Sequence, residues 1–318
     1  MSSKDKLTFN RSEIERKTER GGKYVNSGVV LKQWTGNDDK KMYAAEIDNN
    51  GNKLIGVLDH FFQRNGYGLN NYANGDKYFG FFLNDMKQKN GIYEFNPVVA
   101  GNDRTREFYY GCWKNDKKDG NGVYLWLREP KNRTSFQRFD DANFSAFVGE
   151  YENDVMKFGT YLNKDGNSYY VYHGRFNENG ERDTDTGFLF SNDDEICYLG
   201  TFRNNKFVNG YVTKFTDEGK LLANTWLNND NIENNGQDEQ KDQLCYLFRN
   251  QIMQKDYFGE LFDIFKEILN FRDREVRNLE ILNSDKYLDI LDYTSAYNKI
   301  SINKDILENV IDLRNKDE

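Results

Sequence analysis

Few of the residues that usually announce a chemistry are present in this chain. It has 2 Pro, 2 His and 3 Cys in 318 residues. Cys112, Cys197 and Cys245 are odd in number and widely spaced. They form no disulfide framework and no zinc-binding spacing. Inert packing in a reducing compartment is the simpler reading. His60 and His173 have no histidine or cysteine companion at metal-ligand spacing, so neither is assigned a metal or catalytic role. No phosphate-binding Gly-x4-Gly-Lys-Ser/Thr loop occurs, and Gly66-Tyr67-Gly68 and Gly120-Asn121-Gly122 read as strand, not as the entry to a helix. The acidic stretches Asp183–Asp185 and Asp193-Asp194-Glu195 lack the glycine and terminal glutamate of a calcium loop and read as solvated turns. No apolar run approaches the roughly 20 residues that cross a bilayer. Met1 to Lys23 is charged and without an apolar core, so no signal peptide is expected there. Catalytic residues, cofactors and metals are therefore all assigned as none, and the chain is expected not to be an enzyme.

Charge narrows the partners. The formal net charge is -8. Residues 1–23 carry seven Lys and Arg against four Asp and Glu, whereas residues 237–318 carry twelve against eighteen. An acidic balance repels polyanions, so nucleic acid is excluded and an anionic membrane surface is not favoured.

Aromatics and glycine are abundant. Tyr 21 and Phe 24 bring the aromatic share to 15%, and Gly reaches 26. They recur in one phrase, a bulky residue, any residue, Gly, any residue, then a bulky residue. It runs Leu54-Ile55-Gly56-Val57-Leu58, Tyr78-Phe79-Gly80-Phe81-Phe82, Tyr109-Tyr110-Gly111-Cys112-Trp113, Phe147-Val148-Gly149-Glu150-Tyr151, Tyr172-His173-Gly174-Arg175-Phe176 and Tyr198-Leu199-Gly200-Thr201-Phe202. A fixed period of this kind marks an array of small repeated units.

Each unit reads as a β-hairpin. Period-2 alternation places positions 78, 80 and 82 on one strand face. The turn is expected over Asn84–Asn90, with Gly91–Phe95 as the return strand; likewise Lys114–Asp119 is expected as the turn before Gly120–Trp126. Ala73-Asn74-Gly75-Asp76, Lys164-Asp165-Gly166-Asn167 and Asp217-Glu218-Gly219-Lys220 signal turns between units. Glycine weakens a strand interior, so its recurrence between two bulky residues needs a reason. The expectation is that the gap at Gly111 receives a ring from a neighbouring hairpin, and that stacking stabilises hairpins that are marginal alone.

The repeat glycines 56, 80, 111, 149, 174 and 200 are spaced by 24, 31, 38, 25 and 26 residues. The short values define the unit; the long ones expose insertions within Asn96–Phe108 and Arg128–Ala146. Divergent copies flank the row at Gly28-Val29-Val30 and Tyr43–Ile47 upstream, and at Leu222–Trp226 downstream, where Asn replaces Gly.

The phrase Tyr-x-Gly-x-aromatic, a turn, and Gly-x-Gly-x-Tyr resembles the MORN repeat (membrane occupation and recognition nexus) across residues 43–226. Gly66-Tyr67-Gly68 and Gly120-Asn121-Gly122 carry its second half, while Asn90-Gly91, Phe158-Gly159 and Asn209-Gly210 lack the first of the paired glycines. The fold expected is mainly β with an α-helical C-terminus, an elongated single-layer array of antiparallel hairpins plus a small helical module.

The organisation expected is a charged arm over 1–23, the array over 24–230, a polar linker over 231–240 and a helical module over 241–318. In that module Leu244, Leu247, Phe248 and Ile252 share one stripe, and Phe258, Leu261, Phe262, Phe265, Ile268 and Leu269 another. Further stripes hold Leu288 with Leu291, and Ile306, Leu307, Val310 and Ile311. These helices are expected to pack together, to cover the array or to bind another chain.

An uncovered row of rings on a single-layer sheet would be a partner groove suited to a helix. The residues expected to line it are Tyr78, Phe82, Tyr109, Trp113, Tyr124, Tyr151, Tyr161, Phe176, Tyr198 and Phe202. The resemblance implies a non-enzymatic scaffold in the cytoplasm, binding other proteins in a multi-subunit cytoskeletal or ciliary assembly such as an axonemal radial-spoke head. A peripheral membrane or phosphoinositide adaptor, or a regulatory subunit of an enzyme complex, are the alternatives.

Overall fold

The computed structural model describes residues 42–47, 50–59, 63–130, 143–228, 231–233 and 239–254, with residues 263 and 266. The charged arm, the upstream copy at Gly28-Val29-Val30, His60, and the stripes expected beyond Gln254 lie outside the described residues.

The fold is an open antiparallel sheet of many strands in a row, as the repeats require. It divides into two compact units. The first holds β1 (Met42–Ile47), β2 (Lys53–Leu58), β3 (Arg64–Asn71), β4 (Lys77–Leu83) and β5 (Met86–Glu94). β6 (Val98–Ala100) follows, and most of β7 (Asp103–Lys114) belongs to this unit too. The order is β1-β2-β3-β4-β5-β7, and β6 pairs with β7 off that path. The insertion expected within Asn96–Phe108 is thus a hairpin extension that reverses at Gly101-Asn102, with Val98 and Val99 exposed on its short strand.

The second unit holds nearly all of β8 (Lys117–Pro130), then β9 (Asn143–Glu152), β10 (Val155–Asp165), β11 (Ser168–Arg175) and β12 (Thr184–Ser191). β13 (Ile196–Arg203), β14 (Lys206–Phe215), β15 (Leu221–Asn228) and β16 (Asn231–Glu233) complete it, in unbroken chain order. Helix α1 (Glu239–Gln254) follows. The stretch expected as linker therefore begins with a short strand, in which Ile232 pairs with Leu227.

The turns are tighter than the sequence suggested. The chain reverses over two residues, Asn84-Asp85, and not over Asn84–Asn90. Asn115-Asp116, Asn153-Asp154 and Asn204-Asn205 repeat the device, with φ of 50° and 68°, 51° and 74°, and 48° and 69°. Two successive positive φ values match the right-handed twist of the flanking strands, and Asn and Asp tolerate them best among non-glycine residues. The return strand consequently starts at Met86 and Lys117. A register shift after Gly80 absorbs the extra length.

Between repeats the chain uses a wider turn, built three times to one plan among the described residues. Tyr72 N–H donates to Asp76 O and Gly75 N–H to Tyr72 O. Asn177–Glu181 and Thr216–Lys220 repeat both bonds at the equivalent positions. The fourth residue has φ of +94°, +76° and +81° in turn and is glycine each time, at 75, 180 and 219.

The repeat glycines fall in register across neighbouring strands. In the first unit Gly56 faces Gly68, Gly68 faces Gly80, Gly80 faces Gly91 and Gly91 faces Gly111. In the second, Gly122 faces Gly149, Gly149 faces Gly159 and Gly159 faces Gly174. Gly187, Gly200 and Gly210 continue the same pairing. Each row is a furrow without side chains across the sheet.

Helix α1 lies on the second unit. Leu244, Cys245, Phe248 and Ile252 are buried, whereas Leu247 is exposed, so the stripe runs through Cys245 and not Leu247. Phe248 stacks on Phe188 with centroids 4.6 Å apart. Arg249, also buried, places Nε 2.9 Å from Glu195 Oε2 and its guanidinium over Phe190 and Phe215. A Cβ at position 219 would sit 2.6 Å from Arg249 Nη1, so this glycine also admits the arginine. Phe188 pairs with His173, hence α1 covers the face opposite Tyr172 by strand alternation.

Candidate partner-binding surface

The furrow is filled by rings from the strands that form it. A Cβ at Gly80 would meet Tyr78 Oη and Gly91 Cα, and one at Gly91 would meet Tyr78 Oη again. Phe147 and Tyr172 lie in the same way over Gly149 and Gly174. At Gly80, Gly149 and Gly174 the ring is therefore that of the residue two positions earlier, whereas at Gly187 the Phe202 ring of the next hairpin comes within 3.3 Å of an added Cβ. The neighbouring strand contributes a second glycine, and the space of two missing side chains accepts one aromatic. Tyr78 Oη donates to Phe81 O, Tyr109 Oη to Cys112 O and Tyr172 Oη to Arg175 O, at 3.1, 2.9 and 2.9 Å. Each phenol thus caps its own strand three residues on.

The second aromatic of each phrase packs edge-on against the first. Tyr78 with Phe82, Tyr109 with Trp113, Phe147 with Tyr151 and Tyr172 with Phe176 have centroids 5.0 to 5.2 Å apart. Contacts then pass from hairpin to hairpin. Tyr78 meets Trp113 in the first unit; Phe147 meets Phe176, and Tyr172 meets Phe202, in the second. Edge-to-face pairs add about 0.5–1.5 kcal/mol each beyond burial.

These contacts overturn the expected open row. Tyr78, Phe82, Tyr109, Trp113, Tyr124, Tyr151, Phe176 and Phe202 are all buried. They are the cement between hairpins and form no open row on the sheet face. Tyr161 and Tyr198 alone of the ten are half-buried.

A second line of rings, outside the first, remains partly open. In the second unit Trp126, Tyr161 and Tyr170 are half-buried. Trp126 stacks on Tyr124 at 4.1 Å, and Tyr161 lies 6.4 Å from Trp126 and 6.0 Å from Tyr170. Ser145, which pairs with Trp126, donates its hydroxyl to Asn163 Oδ1 at 2.8 Å beside the row. In the first unit Tyr72, Tyr93 and Phe95 are half-buried neighbours, with Tyr93 5.8 Å from Tyr72 and 4.7 Å from Phe95. Burial is the main force raising the phenol pKa of Tyr93 and of Tyr170.

A staple between hairpins is not legible in the sequence. Arg64, Lys87, Lys118 and Arg182 each donate the backbone N–H to the second turn residue of the next hairpin, Asp85, Asp116, Asp154 or Asn205, at 2.8 to 2.9 Å. That turn residue returns its own N–H to the cation's carbonyl. The side chain then lies over rings of the next hairpin and, for two of them, of its own, Arg64 on Phe82, Lys118 on Tyr124 and Tyr151, Arg182 on Tyr172 and Phe202. The signal was a basic residue near the start of a strand and an Asx at the second turn position. Their separations of 21, 29, 36 and 23 residues vary with the insertions and hide the pairing.

His173 faces away from the aromatic row, as alternation required. It is buried, its Nδ1 lies 2.9 Å from Thr160 Oγ1, and its ring stands edge-on to Phe158. Burial lowers its pKa to about 4. Cys197 and Cys245 are both fully buried, and burial, followed by a hydrogen bond with Cys245, pushes the Cys197 thiol up. Cys112 Sγ lies 3.3 Å from Asn90 Oδ1. Among the described residues no group of three or more His, Cys, Asp or Glu is placed to hold a metal ion. Among the same residues no helix is long and apolar enough to cross a membrane. Against known proteins, neither a protein-family model nor a curated protein matches this chain.

Proposed function

We propose that the chain is a non-enzymatic scaffold that binds other proteins through the outer line of rings on its hairpin array. The observation that carries this reading is the row Trp126, Tyr161 and Tyr170, whose rings run across successive hairpins and stay partly open. Aromatic side chains that are rigid, half-exposed and flanked by hydroxyl and amide groups suit a protein interface. The resemblance of the repeats to MORN arrays supports a place in a cytoskeletal or ciliary assembly. The experiment is proximity cross-linking of the full chain in its native cells, with wild type beside a Trp126→Ser/Tyr170→Ser variant. The variant must keep the wild-type circular dichroism. A reproducible partner set that loses one or more members in the variant is the expected result. An unchanged partner set refutes the surface, and substrate turnover by the purified chain refutes the scaffold reading.

A further inference from the structure

The first unit encloses an ammonium group within four aromatic rings. Lys87 Nζ lies 5.0 Å from the ring centroid of Trp113, 5.5 Å from that of Tyr93, 5.8 Å from that of Tyr78 and 6.0 Å from that of Tyr72. All four distances fall within the range of cation–π attraction. Asp116 Oδ1 supplies a counter-charge 3.3 Å from Nζ.

Stapling hairpins together does not require so many rings. Arg64 does it with Phe82 beneath its guanidinium, and Lys118 with Tyr124 and Tyr151. The surroundings of Lys87 exceed that need. Its walls are also set in place by bonds that do not involve the lysine. Tyr93 Oη donates to Asp76 Oδ2 at 2.7 Å, Trp113 Nε1 donates to Gly91 O at 3.2 Å, and Tyr78 Oη donates to Phe81 O. Two walls, Tyr72 and Tyr93, are half-buried, and the Lys87 side chain keeps 14% of its surface exposed. The enclosure therefore opens to solvent on one side.

A primary ammonium is a poor match for such an enclosure. It is compact, strongly hydrated and offers three N–H donors, and ring faces repay little of the water it loses. A quaternary ammonium carries the same charge, holds water weakly and presents methyl groups to the rings. We propose that Tyr72, Tyr78, Tyr93 and Trp113 form a binding site for a trimethylammonium group, with Lys87 as the internal occupant that such a ligand displaces. The ligand is either the trimethylated lysine of a partner protein or a small molecule of the choline type. Lys87 leaves by rotating its side chain, since its backbone is held in β5 by Asp116. The site does not depend on the scaffold reading and stands or falls separately.

The test titrates the full chain with choline chloride and with one lysine peptide in trimethylated and unmethylated forms. The readout is the Trp113 indole N–H resonance, assigned with Trp113→Phe among the 4 tryptophans. The expected result is a saturable shift of that resonance in the wild type. Lys87→Gln should bind the same probe about tenfold more tightly, because no internal cation competes. Adding Tyr93→Leu should weaken that binding about tenfold, as should removing the methyl groups from the peptide. A response to the peptide alone assigns the ligand to a protein, and a response to choline alone to a small molecule. The proposal is overturned if neither probe moves the resonance in wild type or Lys87→Gln while the other indole resonances stay in place. It is equally overturned if methylated and unmethylated peptides bind alike, or if Tyr93→Leu binds as well as its parent. Should Lys87→Gln fail to fold, the wild-type titration decides alone.

Discussion

Gly149→Ala isolates the role of the glycine furrow. A Cβ at this position would clash with Phe158 O and lie 2.6 Å from Phe147 Cζ and 2.7 Å from Gly159 Cα. Two of those atoms belong to the backbone of the neighbouring strand and cannot rotate away. The third is the tip of a ring that is itself fully buried. Overpacking of this kind costs about 1–3 kcal/mol, occasionally more. The unfolded chain works in the opposite direction, because alanine loses less entropy on folding than glycine and stabilises by about 0.4–1 kcal/mol where its backbone is unstrained. The clash wins, and a net loss of about 2 kcal/mol is expected, read as a lowered urea midpoint at constant slope. Gly166→Ala is the control. Nothing lies within 4 Å of its added Cβ, but its φ is +62°, so a loss of only about 1 kcal/mol from the left-handed backbone is expected. If Gly149→Ala is as stable as the wild type, or less harmful than Gly166→Ala, the furrow is not what the repeated glycine is for.

Three further outcomes follow from the same contacts. The His173 pKa of about 4 lies below its unfolded value of 6.5, so the unfolded chain binds the proton more readily between those two values. The stability it contributes is complete above pH 6.5 and is lost as pH falls to 4, by about 3 kcal/mol; a His173→Phe variant should show a flatter dependence of melting temperature on pH across that window. Asp154 accepts the Lys118 N–H at 2.9 Å, as Asn205 accepts that of Arg182. Asp154→Asn should therefore fall within about 0.5 kcal/mol of wild type by urea unfolding, while Asp154→Ala loses about 1–2 kcal/mol. Removing one partner of the buried Arg249–Glu195 pair by Glu195→Ala leaves an uncompensated guanidinium and should cost about 3 kcal/mol. Limited proteolysis should then cut within α1 before it cuts the sheet, and unchanged protection of α1 would refute its anchoring role.

The hairpin array was legible because its cause is local and periodic. Alternating rings about Gly80, Gly111, Gly149 and Gly174 specify strands, and Asn-Asp at 84–85, 115–116 and 153–154 specifies their reversal. The turn lengths were misjudged because Met86-Lys87-Gln88 reads as polar, although its backbone pairs with Phe81, Phe82 and Leu83. Polarity marks a turn only where the strand does not continue, and a residue facing water can still sit in a ladder. The outer rings Trp126, Tyr170, Tyr72 and Tyr93 are not legible in the sequence for a related reason. They sit one alternation beyond the repeated phrase, where the period says nothing about burial.

By its own pattern, the sequence settled that hairpins form, where the repeat glycines stand and which residues share a strand face, since φ, ψ and side-chain alternation depend on near neighbours. Tertiary structure alone decided that the rings of the phrase are consumed between hairpins, that Lys87 ends up among four rings, two of them outside the phrase, and that α1 covers the face opposite Tyr172. Those outcomes depend on cross-strand register and on contacts between residues tens of positions apart, and the spacing of a repeat interrupted by insertions does not encode them.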